Sequence, residues 1–454
     1  MTLDIETAAS LAELDSAVCA RQSYASSVFD ALRTLSEDAP GVTRASFMEG
    51  EQAAHDEIKR RARELGLGVS TDAVGNLSVR MPGRRPDLPV WITGSHLDSV
   101  HHGGNFDGAA GVIAALVAMA AMIDAGFQTE RDVVLMAFRA EECSTWFVGR
   151  HGGHLGSRAA LGLLWPGELG TAVHISTGLS FREMVDKAGF DAARIESGPP
   201  ALQADRIAGY VELHIEQGPI LEHREIPVGI VTGIRGAYRI RNAKTLGAYS
   251  HSGAVPRELR QDAVFATADL VMALDREWSR RLIAKQDIVV TFGKFSTDPD
   301  VHSIVKVPGE VKFALDIRSQ EQKVLDEMEA HLRNAADEIA RQREVTFTLD
   351  PLDRVRPAVM DPDLVRALQQ AADELEIPSL TMASGGGHDA ADFAEVGVPS
   401  VMIFVRNSHG SHNPEESMEL TDFMQATRLL TRLIATEAGN GMTNQEKQIC
   451  RERS

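Results

Sequence analysis

Two adjacent carboxylates, Glu141 and Glu142, stand where the apolar run of RDVVLMAFRA ends. Like charges so close oppose each other's ionisation. Taken alone, such a pair reads as a solvated turn, because charged side chains are seldom buried unless paired. Other residues change that reading. His96 and Asp98 follow the PVWIT run in GSHLDSV, Asp107 lies in GGNFDGAAG, His214 in VELHIEQG and His412 in GSHNPEE. Three imidazoles and several carboxylates, with no thiol among them, suit borderline divalent cations such as zinc, manganese, cobalt or nickel. His96 and Asp98 are two apart in an extended segment and point the same way, so the carboxylate can hold an imidazole that binds a metal.

These side chains need elements to position them. FMEGEQAAHDEIKRRARELG reads as an amphipathic helix, PVWITGS (89–95) as a buried strand, the Ala-rich segment after Phe106 as a helix and DVVLMAF (132–138) as a strand. That alternation is the α/β signature. In VELHIEQG, Val211, Leu213 and Ile215 alternate with Glu212, His214 and Glu216, which predicts a half-exposed strand with its polar groups on one face. Every candidate ligand falls at or beyond a strand end, and the carboxyl ends of open α/β sheets are where such folds build sites.

From Gly233 to residue 352 the order strand, helix, strand, strand, helix, strand predicts a self-contained βαββαβ unit. The α/β pattern resumes with a helix near 362–375 and the strand PSVMIFV (399–405). The expected fold is therefore α/β: a discontinuous catalytic domain (1–232 and 353–438) with a mixed sheet flanked by helices, interrupted by an inserted lid or dimerisation domain (233–352). Residues 439–454 are polar and read as a flexible tail.

Composition excludes some classes. At 454 residues, two domains are expected. A net charge of −19 argues against a nucleic-acid groove or an anionic membrane surface as partner. The apolar run GAAGVIAALVAMAAMI (108–123) is too short for the roughly 20 residues of a bilayer span. Three scattered cysteines, Cys19, Cys143 and Cys450, and no secretory signal at the N-terminus suggest a cytoplasmic protein.

Together GSHLDSV, GGNFDGAAGV, the Glu pair, ELHIEQGP, the HSG of YSHSGAVP, VPGEVKFALDIRS, SGGGHDA and SHNPEE resemble the hydantoinase/carbamoylase branch of the dinuclear-zinc exopeptidase superfamily, from about Phe47 to Phe423. That branch includes N-carbamoyl-L-amino acid hydrolases, β-ureidopropionases and allantoate amidohydrolases. The resemblance implies two divalent metal ions per subunit. Asp107 would bridge them, His96 and His214 would complete one site, and Glu142 and His412 the other. Asp98 would orient His96, and Glu141 would be the general base. Two cations roughly 3.5 to 4 Å apart hold a bridging water and lower its pKa towards about 7, which readies a hydroxide for attack on a ureido or amide carbonyl. His251 would stabilise the oxyanion, while Arg318 and Gln217 would contact a small carboxylate-bearing substrate. A homodimer formed through the inserted domain is also implied.

The chain departs from the family pattern in places. Val305 stands where relatives carry an asparagine that helps hold the substrate carboxylate, and His302 either takes over that contact or is a surface histidine. After the strand the chain reads EECSTWFVGRHGGHLGSRA, with the additional His151 and His154, instead of EEGSRF. The expected function is metal-dependent hydrolysis of a linear C–N bond in an N-carbamoyl-L-amino acid or related ureido acid. The alternatives are hydrolysis of an N-acyl amino acid or small-peptide amide, and a non-catalytic binding protein on the same fold.

Overall fold

The computed structural model describes residues 10–349 and 351–439, so Cys450 and nearly all of the expected tail lie outside the described residues. The chain forms two compact units: one runs to Thr232 and resumes at Met360, the other is Gly233–Val359.

The first unit opens with two helices that the sequence expectations above do not include, α1 (Leu11–Ala20) and α2 (Gln22–Ser36). Ser10 starts α1 with a capping box: its hydroxyl accepts the Glu13 N–H while the Glu13 carboxylate accepts the Ser10 N–H. Leu14, Val18, Val28, Phe29 and Leu32 then join the main core. α3 (Glu49–Glu64), β1 (Gly68–Thr71), β2 (Leu77–Met81), β3 (Val90–His96), α4 (Ala109–Ala125) and β4 (Val133–Phe138) follow. Short helical turns, among them α5 (Leu155–Leu161), lead to β5 (Ile207–Ile215) and β6 (Val228–Ile234).

The second unit holds β7 (Gly236–Leu246), α6 (Ala263–Ile283), β8 (Val289–Ser296), β9 (Glu310–Ser319), α7 (Gln322–Arg343) and β10 (Thr346–Thr348). Its strands run in the order β8-β9-β7-β10, all antiparallel. β9 alternates buried and partly exposed residues; Phe313, Leu315 and Ile317 on its inner face pack with Leu270, Leu274, Leu325 and Met328 of the two helices. The unit extends beyond the expected boundary at 352, because Asp353–Val355 pairs with β7.

The first unit resumes with α8 (Pro362–Glu374), β11 (Ser379–Ser384), α9 (Asp389–Glu395), β12 (Ser400–Val405) and α10 (Leu420–Gly439). Its sheet runs β6-β12-β5-β3-β4-β2-β1, with β11 also paired to β6. The central four, β12, β5, β3 and β4, are parallel. β6, β2 and β1 pair antiparallel with their neighbours, which makes the sheet mixed.

Two central elements are more enclosed than ordinary amphipathic ones. α4 is buried from Ala109 to Met122, and a Cβ at Gly111 would stand 2.2 Å from the Leu213 carbonyl oxygen. Glycine thus lets the helix lie directly on β5. No helix among the described residues is long and apolar enough to cross a membrane. β5 is buried along its whole length, which corrects the half-exposed strand expected from its alternation. A central parallel strand is covered on both faces, and its polar residues are partnered instead of hydrated: Glu212 accepts the Ser95 hydroxyl at 2.7 Å and the Ala390 N–H at 2.9 Å.

Candidate metal centre

The four parallel strands deliver the candidate ligands at their carboxyl ends. His96 is the last residue of β3, Glu141 and Glu142 follow β4, His214 is near the end of β5, His412 lies in the loop after β12, and Asp107 precedes α4. Asp107 Oδ1 is 3.4 Å from His96 Nε2 and 3.2 Å from His214 Nε2. Its other oxygen, Oδ2, is 3.5 Å from His412 Nε2, which is itself 2.9 Å from Glu142 Oε1. Two donor triads therefore share one carboxylate: His96, Asp107 and His214, and Asp107, Glu142 and His412.

The chemistry of the donors fits divalent cations. His96 Nδ1 is 3.0 Å from the Asp98 carbonyl and His214 Nδ1 is 2.9 Å from the Ile215 carbonyl, so both rings donate through Nδ1 and present Nε2 to the centre. The two Nε2 atoms stand 3.4 Å apart beside Asp107 Oδ1, a buried oxygen with no hydrogen-bond partner among the described residues. Lone pairs and an unpartnered carboxylate oxygen converge where a cation satisfies them all. In the cation-free chain, protons take that role. Burial opposes the charged form of His96 and His214, but Glu141 raises His96 well above the usual range and Asp107 raises His214. Hydrogen bonds with Asp107 and Glu142 push His412 up to about 11.

Local backbone conformation is specialised around these residues. Ala140, Gln217 and His412 have φ of 52°, 62° and 61° without being glycine, a conformation whose strain collects at functional sites. Gly108 shares the positive φ, at 66°, and is glycine for a second reason as well: a Cβ there would stand 2.3 Å from the His96 ring.

Asp98 makes contacts beyond the one expected with His96. Its carbonyl makes the short contact to His96, and the nearest carboxylate oxygen, Oδ1, is 3.5 Å from Nδ1. The carboxylate also accepts the N–H groups of Glu141 and Glu142, each at 3.1 Å, and the Ser46 hydroxyl at 2.7 Å. It holds the backbone of the Glu pair.

The two members of that pair face different neighbours. Glu142 contacts His412, whereas Glu141 Oε2 lies 3.8 Å from His96 Nε2 and Oε1 lies 3.5 Å from His154 Nε2. Burial raises the Glu141 carboxyl to about 7, with His96 and His154 pulling against Glu142 and Asp98. A base near neutral pH is suited to proton transfer. Burial also works against a charged His154, but Asp392 and Glu141 overcome it and raise the ring to about 10. Cys143 is fully buried, and that burial pushes its thiol well up, away from nucleophilic thiolate character. His151 sits 3.0 Å from the Phe147 carbonyl.

Gln217 donates its side-chain amide to Asp107 Oδ2 at 2.8 Å. His251, Arg318 and His302 lie in the second unit. His251 Nδ1 accepts the N–H groups of Gly253 and Ala254, each at 3.1 Å, which leaves the ring proton on the exposed Nε2. Arg318 forms an ion pair with Asp316 at 2.8 Å. His302 Nδ1 is 2.7 Å from the Thr297 hydroxyl oxygen in an exposed loop.

Several residues at the centre carried no role in the sequence reading. Glu416 accepts the N–H groups of Phe106 and Asp107 at 3.0 and 3.2 Å, and Ser411 donates to Asp107 Oδ2 at 2.6 Å. His388 packs its ring 4.5 Å from that of His214. Their signal was present in SGGGHDA and SHNPEE, but motif letters alone do not separate a supporting residue from a ligand. The buried pair of Glu51 and Arg139, 2.6 Å apart, had no signal beyond ordinary helix and strand-end charges.

The profile of Peptidase family M20/M25/M40 matches residues 92–436. An N-carbamoyl-L-amino acid amidohydrolase from Geobacillus stearothermophilus is 36% identical over 83% of this chain and 88% of that protein. The allantoate amidohydrolase of Escherichia coli (strain K12) is 30% identical over 88% of this chain and 93% of that protein. The crystal structure of a hydantoinase/carbamoylase family amidase from Burkholderia multivorans superposes with a TM-score of 0.83 at 28% identity, covering 93% of this chain and 98% of the other. With two donor triads at the ends of four parallel strands and these relatives along most of its length, the chain belongs to peptidase family M20/M25/M40, in its hydantoinase/carbamoylase branch.

Proposed function

We propose that the chain is a metal-dependent amidohydrolase that cleaves a linear ureido C–N bond, in an N-carbamoyl-L-amino acid or a related ureido acid. The observation that carries this reading is the pair of donor triads sharing Asp107, with the Glu141 carboxylate beside them. Similarity to N-carbamoyl-L-amino acid and allantoate amidohydrolases supports the ureido group as substrate. His96, Asp107 and His214 would hold one divalent cation, and Asp107, Glu142 and His412 a second. Such ions, zinc or else manganese, cobalt or nickel, polarise a carbonyl and acidify the attacking water.

The chain's own residues then divide the work. Glu141 takes the proton from the attacking water and delivers it to the departing nitrogen. Asp98 keeps the Glu141 and Glu142 backbone in place through their N–H groups. Gln217, beside Asp107, would be a polar contact for the substrate, and the resemblance assigns Arg318 to the substrate carboxylate, His251 to the oxyanion and His302 as a further polar contact. Homodimer formation through the second unit is part of this reading. It is supported by Phe265, Met272 and Ile283, exposed at helical spacing along one face of α6.

The test is ammonia release by metal-reconstituted protein from a panel of N-carbamoyl-L-amino acids and ureido acids, with N-acetyl and dipeptide counterparts assayed for amine. Metal-dependent ammonia release is expected, falling about 10²- to 10⁴-fold in Glu141→Gln at unchanged metal content. Amine release from the acyl or peptide compounds alone would make the chain an N-acyl hydrolase instead. Silence across the panel with both metals bound would overturn the reading.

A further inference from the structure

The loop after the Glu pair, where the sequence departs from EEGSRF, contributes a side chain that neither triad uses. His154 Nε2 is 3.5 Å from Glu141 Oε1, and its Nδ1 is 3.1 Å from Asp392 Oδ2. Ser157 donates to the same Asp392 oxygen at 2.8 Å. His154 immediately precedes α5 and Asp392 lies on α9, so two short helices far apart in sequence meet behind the base. The ring is gripped at both nitrogens, an arrangement that fixes its plane and its proton positions.

Two further observations indicate that this placement is imposed on the chain. His154 has φ 37° and ψ 56°, a left-handed conformation that is strained for a non-glycine residue and persists only where the surroundings over-determine it. Its side chain is 19% exposed, and a Cβ at the neighbouring Gly387 would stand 2.9 Å from Nε2. Space beside the ring is therefore kept by glycine.

We propose that His154 and Asp392 are positioning residues for Glu141: His154 holds Oε1, so that Oε2 stays turned toward the His96 side of the centre, and Asp392 holds His154. The inference rests on the role of Glu141 proposed above. Neither residue touches the substrate or a cation in this scheme. Their effect is to keep the base from rotating between the proton it takes and the nitrogen that receives it.

His154→Gly is the informative variant, because glycine accepts the left-handed backbone and leaves a hole shaped like imidazole. With whichever substrate the parent enzyme turns over, kcat is expected to fall about 10- to 100-fold, the range for loss of an outer hydrogen-bonding partner. KM and metal content should stay within error, and added imidazole should restore most of the rate. Asp392→Asn should lower kcat in the parent background and have no further effect in His154→Gly, since residues acting through one another are not additive. A kcat within threefold of the parent in His154→Gly would overturn the inference, as would a loss that imidazole leaves untouched.

A second measurement needs no substrate. In NMR spectra of isotope-labelled histidine in the metal-loaded protein, Glu141→Gln should displace the His154 Nε2 resonance, and an unmoved resonance would overturn the inference. If the parent turns over no compound in the panel, the functional reading fails while the resonance still decides whether His154 holds Glu141.

Discussion

At the scale of single residues, the centre is a set of charges that wait for cations. His96, His214 and His412 are all raised above the ordinary imidazole range, so the cation-free protein keeps protons to higher pH on rings that must be neutral to act as ligands. Metal binding must displace those protons, and apparent metal affinity must fall as pH falls. Mixing zinc with the cation-free protein in weak buffer containing an indicator dye should register acidification; no proton release would refute the assignment of these rings. Asp98→Ala should act at the same scale. It strips the acceptor from two buried N–H groups and the Ser46 hydroxyl, so a loss of about 1–3 kcal/mol is expected in thermal unfolding. Metal affinity in a competition titration should fall about 10- to 100-fold. The sequence made the ligand types legible, because histidine and aspartate at strand ends have few other uses in such numbers. It did not reveal that Asp98 reaches the Glu pair through its carboxylate and His96 through its carbonyl, since both contacts depend on how one loop turns.

At the scale of elements, the sheet places the site and α4 fixes the sheet. The strands β3, β4, β5 and β12 were all legible as short apolar runs. The enclosure of β5 was not, because alternation in a central strand arises here from polar residues that find buried partners, as Glu212 does with Ser95 and Ala390. α1 and α2 went unassigned although Ser10 and Glu13 form a capping box, a four-residue signal easily passed over ahead of a chain's first obvious motif. Gly111→Ala tests the contact between α4 and β5. Its Cβ would meet a backbone oxygen that cannot swing aside, so the variant should lose about 1–3 kcal/mol of stability in chemical denaturation. It should also weaken binding at the triad containing His214. A variant as stable as the parent would mean that the helix shifts freely on the sheet.

At the scale of the whole molecule, the two units have separate cores, and the order of strands and helices in the second was legible from sequence. Its limit was not, because Asp353–Val355 is too short and too polar to announce itself as a strand. The α6 stripe belongs to this scale as well. Met272→Glu places a charge between Phe265 and Ile283 on the exposed face of α6 and should convert a dimer to monomers in sedimentation equilibrium, leaving the thermal transition of the first unit unchanged. A parent protein that is already monomeric at micromolar concentration would remove the homodimer from the reading.

The order of the ligands along the chain has a consequence for synthesis. His96, Asp107, Glu142 and His214 all precede Gly233, while His412 follows the whole second unit. The strand that leads to His412, β12, lies between β5 and β6 in the finished sheet. A chain leaving the ribosome thus carries every donor of one triad long before the strand that fills the middle of the sheet exists, and the last donor of the other arrives only with that strand. The two donor triads are completed at different times in the life of each molecule.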